Sequence, residues 1–559
     1  MTRLTLAHPQ PRLTHAVLNQ SAPRADVNEY DLNPVLGEAI RRHDAAWAEA
    51  ELREVGALVG SADFQRDAAL ANAVIPELHN FDRWGNRIDE VEFHPAYHRI
   101  IGSAIAHGAH TSCWADPQPG SHVARAAMFM LFAQIEPGHA CPVSMTHAVI
   151  PALELQPDVA ADWVPRALSR DYSPQLSAHK SSAVFGMSMT EKQGGSDLRA
   201  NTTLARPVGS GGPGAEYLLT GHKWFCSAPM SDAFLVLAQA EGHGGHGLSC
   251  FLVPRVLPDD TRNVFHIQRL KNKLGNRSNA SSEIELDGTL GWMVGEAGRG
   301  VRTIIEMITQ TRLDCVLGSA AGMRQSVAEA IWHAQHRNAF GAHLVDQPAM
   351  TAVLADLAME SEAATITAMY LARANDEDAD EHTQAFRRLA TAVAKYWICK
   401  RGPNHAYEAL ECLGGNGYNE EFPLAMRYRE QPVMAVWEGS GNVIALDVLR
   451  AMTREPETVG AFDVELNLAR GVSPVLDAHL DRMRRQLAEL ADLDPSDAQR
   501  RARSVVESMA LALQASLLVR FSPSAVADAF IDARLGEHRA LEYGALSPAA
   551  DLGAILARH

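Results

Sequence analysis

Cysteine is sparse in this chain, and none of it is paired by spacing. Cys113, Cys141, Cys226, Cys250, Cys315, Cys399 and Cys412 are scattered over 559 residues, odd in number and without a Cys-x-x-Cys. That pattern argues against a disulfide framework and against a structural zinc site, and no metal is assigned. Long apolar runs are lacking too: no stretch approaches the roughly 18 uncharged apolar residues of a membrane span. The opening residues, Met1 to Pro9, hold no apolar run of signal-peptide length, so the expected location is the cytoplasm. Net positive charge is missing as well. The formal charge is −17, a surface that taken whole repels nucleic acid and anionic lipid. The glycine cluster Leu413-Gly-Gly-Asn-Gly-Tyr418 matches neither Gly-x-Gly-x-x-Gly after a strand nor a Walker loop, so neither standard nucleotide fingerprint applies to it.

What is present is a succession of textures. The length is too great for one ordinary core, so several domains are expected. Residues 1–180 read as an arm, to about residue 33, and a helical domain. Helix is expected over Leu36 to Val59 and Ala124 to Gln134. Residues 181–295 read as a small β-domain. Short β-prone runs at 183–189, 217–220, 234–238, 248–253 and 282–286 are separated by turns such as Gly242 to Gly247. Residues 296–455 return to helix, at 301–338, 350–375, 383–413 and 442–452, which suits a four-helix bundle. Residues 456–559 form an extra helical block, with helices expected at 464–490, 498–518 and 524–535 and breaks at Asp494-Pro495 and Ser522-Pro523. The fold class is multidomain α+β.

Several segments have residue types suited to chemistry. Glu438, in Ala435-Val-Trp-Glu-Gly-Ser-Gly-Asn442, is a carboxylate beside a large aromatic residue and a glycine. In an apolar setting its proton affinity rises, which suits a base for a weakly acidic C–H. A surface Glu before a turn glycine is the plainer reading. Met187-Ser-Met-Thr-Glu-Lys-Gln-Gly-Gly-Ser-Asp197 is either a polar turn or a loop whose glycines admit a flat or charged ligand. His222-Lys-Trp-Phe-Cys-Ser-Ala228 is either a core strand or one wall of a ring-binding pocket. Leu413-Gly-Gly-Asn-Gly-Tyr418 is either a helix C-cap or a nest of N–H groups for phosphate. Gln335-His-Arg-Asn-Ala-Phe-Gly341 ends a helix, and its Arg337 either solvates that end or neutralises a pyrophosphate.

In this order the motifs resemble the acyl-CoA dehydrogenase family, over about residues 35 to 452. Thr-Glu-x-x-Gly-Gly-Ser-Asp, Lys273-Leu-Gly-Asn-Arg-Ser278, Arg-x-x-Phe-Gly, Leu-Gly-Gly-Asn-Gly-Tyr and aromatic-Glu-Gly carry the resemblance. The details are most similar to the flavoprotein branch that serves the bacterial adaptive response to DNA alkylation. The resemblance implies FAD. Met187, Met189, Thr190, Gly195 and Ser196, with Phe225, Cys226 and Ser227, would line the isoalloxazine and its phosphates. Thr190 and Ser227 would bond the ring edge. Arg337, Phe340, Gly414, Gly415 and Gly417 would hold the ADP portion, partly across a subunit boundary, which implies a homotetramer. Val436, Trp437, Gly439, Ser440, Asn442 and Leu446 would pass by the flavin. Glu438 would be the base in a CH–CH oxidation, with Arg312 near it. Departures are Lys192-Gln193, where many members have Pro-Gly, and Phe225-Cys226-Ser227, where they have Trp-Ile-Thr.

The block after residue 456 exceeds the ordinary family length. From Thr458 onward it has 11 Arg against 14 Asp and Glu, so it is not net basic. Its arginines are bunched: Arg482, Arg485, Arg500, Arg503 and Arg520, with Arg450 nearby. A solvated, balanced face is the simpler reading on charge alone; the resemblance implies contact with double-stranded DNA. The expected function is an FAD flavoprotein that binds duplex DNA and protects it from alkylation, with an alkylating agent or an acyl-CoA as substrate. The alternatives are a short- or branched-chain acyl-CoA dehydrogenase whose extension serves oligomerisation, and a flavin-bearing scaffold without turnover.

Overall fold

The computed structural model describes residues 14–242, 247–537 and 539–559. The centre of the Gly242–Gly247 turn and the first residues of the arm lie outside them. The N-terminal unit holds α1 (Pro34–Arg42), α2 (Glu49–Gly60), α3 (Ala62–Ala73), the hairpin β1 (Glu77–Phe81) and β2 (Arg87–Glu92), α4 (Pro95–Ala106), α5 (Ser112–Ala115), α6 (Ser121–Ala133), α7 (Ala140–Leu153) and α8 (Pro157–Leu168). The single helix expected over 36–59 is two helices. Asp44 takes φ +60° between them, because the backbone at Gly120 packs directly on Asp44; a Cβ at Gly120 would lie 2.6 Å from its carbonyl. The β1–β2 hairpin departs from the all-helical expectation. Its strands are rich in Glu, Asp and Asn, poor strand formers. Tertiary contacts hold it instead: Asn80 Nδ2 donates to Ile267 O (2.6 Å), and Ile267 N donates to the Asp89 carboxylate (3.1 Å).

The β-domain contains β3 (Phe185–Ser188), β4 (Leu204–Pro207), β5 (Glu216–Ser227), β6 (Ala233–Ala240), β7 (Gly247–Pro254), β8 (His266–Leu270) and β9 (Ser281–Val294). Strands β6, β4, β5, β9 and β7 pair in a closed ring, with β3 added beside β6 and β8 beside β9. Closure removes the exposed edges that a small open sheet would present. Alternate residues of β6 and β7 fill two cores, one inside the ring and one against α7 and α8.

The bundle is α9 (Gly300–His336), α10 (Pro348–Arg373), α11 (Glu381–Glu411), α12 (Pro423–Met434) and α13 (Gly441–Arg454); a two-residue hairpin, β10 (Asn338–Ala339) and β11 (Ala342–His343), follows α9. Asp380 caps α11 by accepting from Thr383 N at 2.8 Å. The C-terminal unit is α14 (Glu457–Asn467), α15 (Pro474–Ala491), α16 (Pro495–Phe521), α17 (Ser524–Leu535) and α18 (Leu552–Leu556). Here the helix expected over 464–490 is also two: Gly471 turns with φ +86°, then Ser473 caps α15 and Pro474 starts it. Helix α16 is apolar and long enough to be mistaken for a span, but its apolar face is buried against α10, α11 and α13.

Candidate active site

Glu438 sits in the six-residue link from α12 to α13. The chain leaves α12 through tightening turns, Val436 N to Val433 O (2.9 Å) and Trp437 N to Val433 O (3.1 Å). It then places Glu438 in the left-handed region at φ +59°, followed by Gly439 at φ +111°. A non-glycine residue held there stores backbone strain of about 1 kcal/mol or more, and such strain persists only where the surroundings over-determine it. Three bonds do so. Arg312 Nε donates to Glu438 O (3.1 Å); Lys395 Nζ donates to Trp437 O (2.9 Å) and to Gly439 O (2.5 Å).

The side chain has been left for something else. Glu438 Oε2 and Trp437 Nε1 are both buried without a hydrogen-bond partner. Burial pushes the Glu438 carboxyl above its ordinary range; the Thr311 hydroxyl, Arg312 and Lys395 oppose that rise. Arg312 does not grip the carboxylate itself. Its NH1 donates to Asp447 on α13 at 2.8 Å, while the neighbouring Asp314 pairs with Arg125 of α6.

The β-domain supplies the opposite wall. Met187 and Met189 lie two apart, so they share a face, and both are half-buried beside the α7 core. Ser227 Oγ lies 3.3 Å from Ser281 Oγ, and Phe225 is half-exposed with Lys271 Nζ 4.8 Å from its ring centre. Cys141 at the start of α7 ties the walls together: it neighbours Ser227 and Asn279 and feels the Glu438 charge. Cys226 points the other way, fully buried in the barrel, so its thiol is unavailable to a ligand and only its backbone borders the cleft. Thr190 is shaped rather than free: its carbonyl accepts from Trp224 N (2.8 Å), and Gly195 packs so close that a Cβ would lie 2.4 Å from Thr190 Oγ1.

Glu191 explains much of this loop and was not singled out in the sequence. Its fully buried carboxylate accepts from Lys223 Nζ (2.8 Å), Thr202 N (2.7 Å) and Thr203 Oγ1 (2.6 Å). Burial works against the charge, yet Lys223 and these bonds hold the carboxyl well below the usual range. The Thr-Glu and His-Lys-Trp motifs are therefore two halves of one internal ion pair.

The two segments expected to hold an ADP group are both bonded to adjacent residues of the arm. Asn19 of the arm accepts from Arg337 and exchanges bonds with Asn338 (2.8 and 2.7 Å), while Gln20 accepts from Asn416 at 3.3 Å. Phe340, at φ +52°, is 99 % exposed and Tyr418 84 %. Gly414 needs its φ of +58°, and Gly417 lies so close to Leu410 O that a Cβ would be 2.0 Å away; Gly415 faces open space. Val436, Ser440 and Asn442 are exposed, and Leu446 is half-buried. This set of unpartnered buried atoms, half-exposed apolar side chains and open glycine backbone fits a planar ring with an anionic tail.

Over residues 186–289 the chain matches the acyl-CoA dehydrogenase middle domain, over 298–453 the acyl-CoA dehydrogenase C-terminal domain, and over 19–174 the adaptive response protein AidB N-terminal domain. Escherichia coli AidB is 43 % identical over 86 % of this chain and 88 % of its own length. The chain belongs to the acyl-CoA dehydrogenase family. Caenorhabditis elegans ACDH-11, solved with C11-CoA, has the same fold: TM-score 0.85 at 24 % identity, covering 94 % of each chain. An acyl-CoA dehydrogenase from Bacillus anthracis complexed with FAD gives TM-score 0.61 at 16 % identity over 78 % of this chain and 76 % of that one. As in other members of this family, the cofactor is FAD.

The arginines assigned to DNA divide. Arg485 on α15 is exposed without an ion pair among the described residues; Arg482 beside it donates to His479 Nδ1 (3.0 Å). Arg500 is exposed and leans on Asp497, Arg450 is exposed near Asp447 (3.7 Å), and Arg503 donates to Tyr396 OH (3.1 Å). Arg520 corrects the expectation. It is half-buried and held between Glu465 (3.0 Å) and Tyr370 (3.3 Å), its guanidinium over the Phe521 ring. A guanidinium so engaged is committed to Glu465 and Tyr370 rather than presented to solvent.

One further cluster, Cys113, His122 and His147, is buried with ligand-type atoms within 4.8 Å of each other. His147 Nδ1 already meets the Trp114 indole N–H (3.0 Å) and the His110 carbonyl (3.0 Å), and Arg125 faces the group. The arrangement is a hydrogen-bonded core.

Proposed function

We propose that this chain is an FAD-dependent dehydrogenase-type flavoprotein, cytoplasmic and homotetrameric, that takes an acyl-thioester or a chemically related small substrate, binds duplex DNA and protects it from alkylation. The observation that carries the dehydrogenase part is the unpartnered Glu438 Oε2 in a strained, triply anchored turn. Glu438 removes the α-proton of the substrate, its raised proton affinity matching a weak carbon acid. Arg312 and Lys395 hold the turn so that the carboxylate does not swing, which preserves alignment with the β-carbon. Met187, Met189 and Trp437 exclude water. FAD, when bound, supplies the hydride acceptor. The experiment is flavin bleaching by a panel of acyl-CoA thioesters, abolished in Glu438→Gln; a panel without bleaching removes acyl-CoA as substrate.

The DNA part is supported by the similarity to AidB across most of both chains and by Arg482, Arg485 and Arg500, which stand exposed on α15 and α16. Fourfold repetition would multiply this otherwise modest cationic surface. Duplex binding is expected to weaken steeply with salt and to be lost in the Arg482→Ala/Arg485→Ala/Arg500→Ala variant; unchanged binding removes this surface. A second reading, a plain acyl-CoA dehydrogenase whose extension serves assembly, is favoured by the buried ion pairs that fasten the C-terminal unit to α10: Arg534 with Asp356 (2.5 Å) and Glu360 (2.9 Å), and Arg558 with Glu362 (2.9 Å). Absence of any duplex binding selects it.

A further inference from the structure

Lys395 is the least expected residue near the site. It lies in the middle of α11 and is 1 % exposed, yet among the described residues no carboxylate stands within ion-pair distance of its ammonium. A buried ammonium costs several kcal/mol unless something compensates it. Its partners are two backbone carbonyls, Trp437 O and Gly439 O, one on each side of Glu438. The arrangement centres on that residue: a cation bridges the carbonyls flanking it while Arg312 takes its own carbonyl. All three consecutive carbonyls of the strained turn are thus bound by cationic donors, from α9 and from α11.

We infer that Lys395 is a positioning residue for the Glu438 base, clamping the left-handed turn by its two flanking carbonyls and supplying the positive charge against which the carboxylate ionises. The other groups facing Glu438 are the Thr311 hydroxyl and Arg312 from α9, Cys315 from the same helix, and Cys141 from α7. Arg312 divides its bonds between Glu438 O and Asp447, whereas among the described residues Lys395 has no carboxylate partner and bonds only the two flanking carbonyls. Removing it takes away the clamp and the charge together, so both geometry and proton affinity of Glu438 must respond.

The inference rests on Glu438 being the base, and its test is chosen to stand apart from turnover. The probe is the Glu438 carboxyl of the FAD-loaded protein, followed across pH by isotope-edited infrared difference against Glu438→Gln. In Lys395→Met, and in Lys395→Gln, which keeps an amide N–H donor group but no charge, the carboxyl is expected to titrate about one unit higher, a tenfold gain in proton affinity. With an acyl-CoA that bleaches the wild type, kcat falls at least tenfold and KM moves less than threefold. A carboxyl titrating at the wild-type pH in the folded, FAD-containing variants overturns the inference, as does a fall in Tm with titration unmoved. A wild type that turns over no acyl-CoA refutes the substrate, not the clamp, because the infrared titration needs no substrate.

Discussion

The link around Glu438 and the C-terminal unit handle positive charge in opposite ways. At the link, Lys395 gives its hydrogen bonds to two backbone carbonyls, Arg312 divides its own between the Glu438 carbonyl and Asp447, and the Glu438 carboxyl is left with a free oxygen. In the C-terminal unit the deepest arginines are saturated with carboxylates: Arg534 holds Asp356 and Glu360, Arg520 holds Glu465, Arg558 holds Glu38 and Glu362. The free Glu438 oxygen, beside the cleft, marks a place where a ligand or a reaction is expected, and the carboxylate-bound arginines mark where the fold is fastened. The first region is built for chemistry and the second for attachment, with only its outer arginines left over for a partner.

The sharpest break of that contrast is at Glu438. Glu438→Gln keeps the size and the backbone anchors but loses the base, so flavin reduction by acyl-CoA should fall by about 10²–10⁴ while FAD content and Tm hold. The converse holds for Arg534→Met. Taking away one partner of a buried pair leaves Asp356 and Glu360 under-compensated, with a cost of about 3–5 kcal/mol in denaturant unfolding. Flavin chemistry should be spared. If Arg534→Met abolished bleaching without unfolding the C-terminal unit, the separation of attachment from chemistry would be wrong.

Acidity separates the regions again. Glu430, on α12 just before the link, accepts from Asn276 N (2.7 Å) and is pushed up to about 7, chiefly by burial. A carboxyl raised in the folded state binds its proton more tightly there than when unfolded. Its contribution is therefore present below its unfolded value and is lost as pH rises through about 7. Glu360 in the C-terminal anchor is the mirror image. Burial opposes its charge, but Arg401 and Arg534 hold it down to about 2. Its contribution is present above the ordinary carboxylate range and disappears as pH falls towards 2. Between about pH 5 and 7 this group makes stability decline, and Glu430→Gln should flatten that decline by roughly 1–3 kcal/mol. Between pH 5 and 3 the loss should be steeper in wild type than in Glu360→Gln. Unfolding curves across pH check both slopes.

The sequence was legible where a residue pattern has one physical solution. The helices at 300–336 and 524–535 follow from periodicity and caps, and Glu438 stood out as a carboxylate between a large aromatic residue and a glycine, in a motif shared with the family; its left-handed backbone did not. It was illegible where distant backbone decides. Nothing local announces that Gly120 bends the chain at Asp44, or that a Glu- and Asn-rich stretch pairs as β1–β2. The break at Gly471 was readable, since Gly followed by Ser473-Pro474 is a stop and a start. Lys395 could not be found by motif at all: its meaning lies in carbonyls more than forty residues away. Arg520 misled for the same reason, because a count of arginines does not tell a bound guanidinium from a free one.

The smallest effects sharpen the comparison most finely. Arg485 is exposed and has no ion pair among the described residues, so Arg485→Ala should change stability by less than about 0.5 kcal/mol. If the outer arginines meet phosphate, the same change should lower duplex affinity several-fold and reduce the slope of log affinity against log salt by about 1. Arg520→Ala, one helix away, should do the reverse: it uncouples Glu465 and Tyr370, costs stability, and leaves the salt slope where it was. Fluorescence anisotropy with a labelled duplex over a salt series, beside denaturant unfolding of the same two variants, reads both quantities. An Arg520→Ala protein that stayed folded and lost the salt slope would place the DNA surface on the inner face of α16, and the division between fastening and leftover arginines would have to be redrawn.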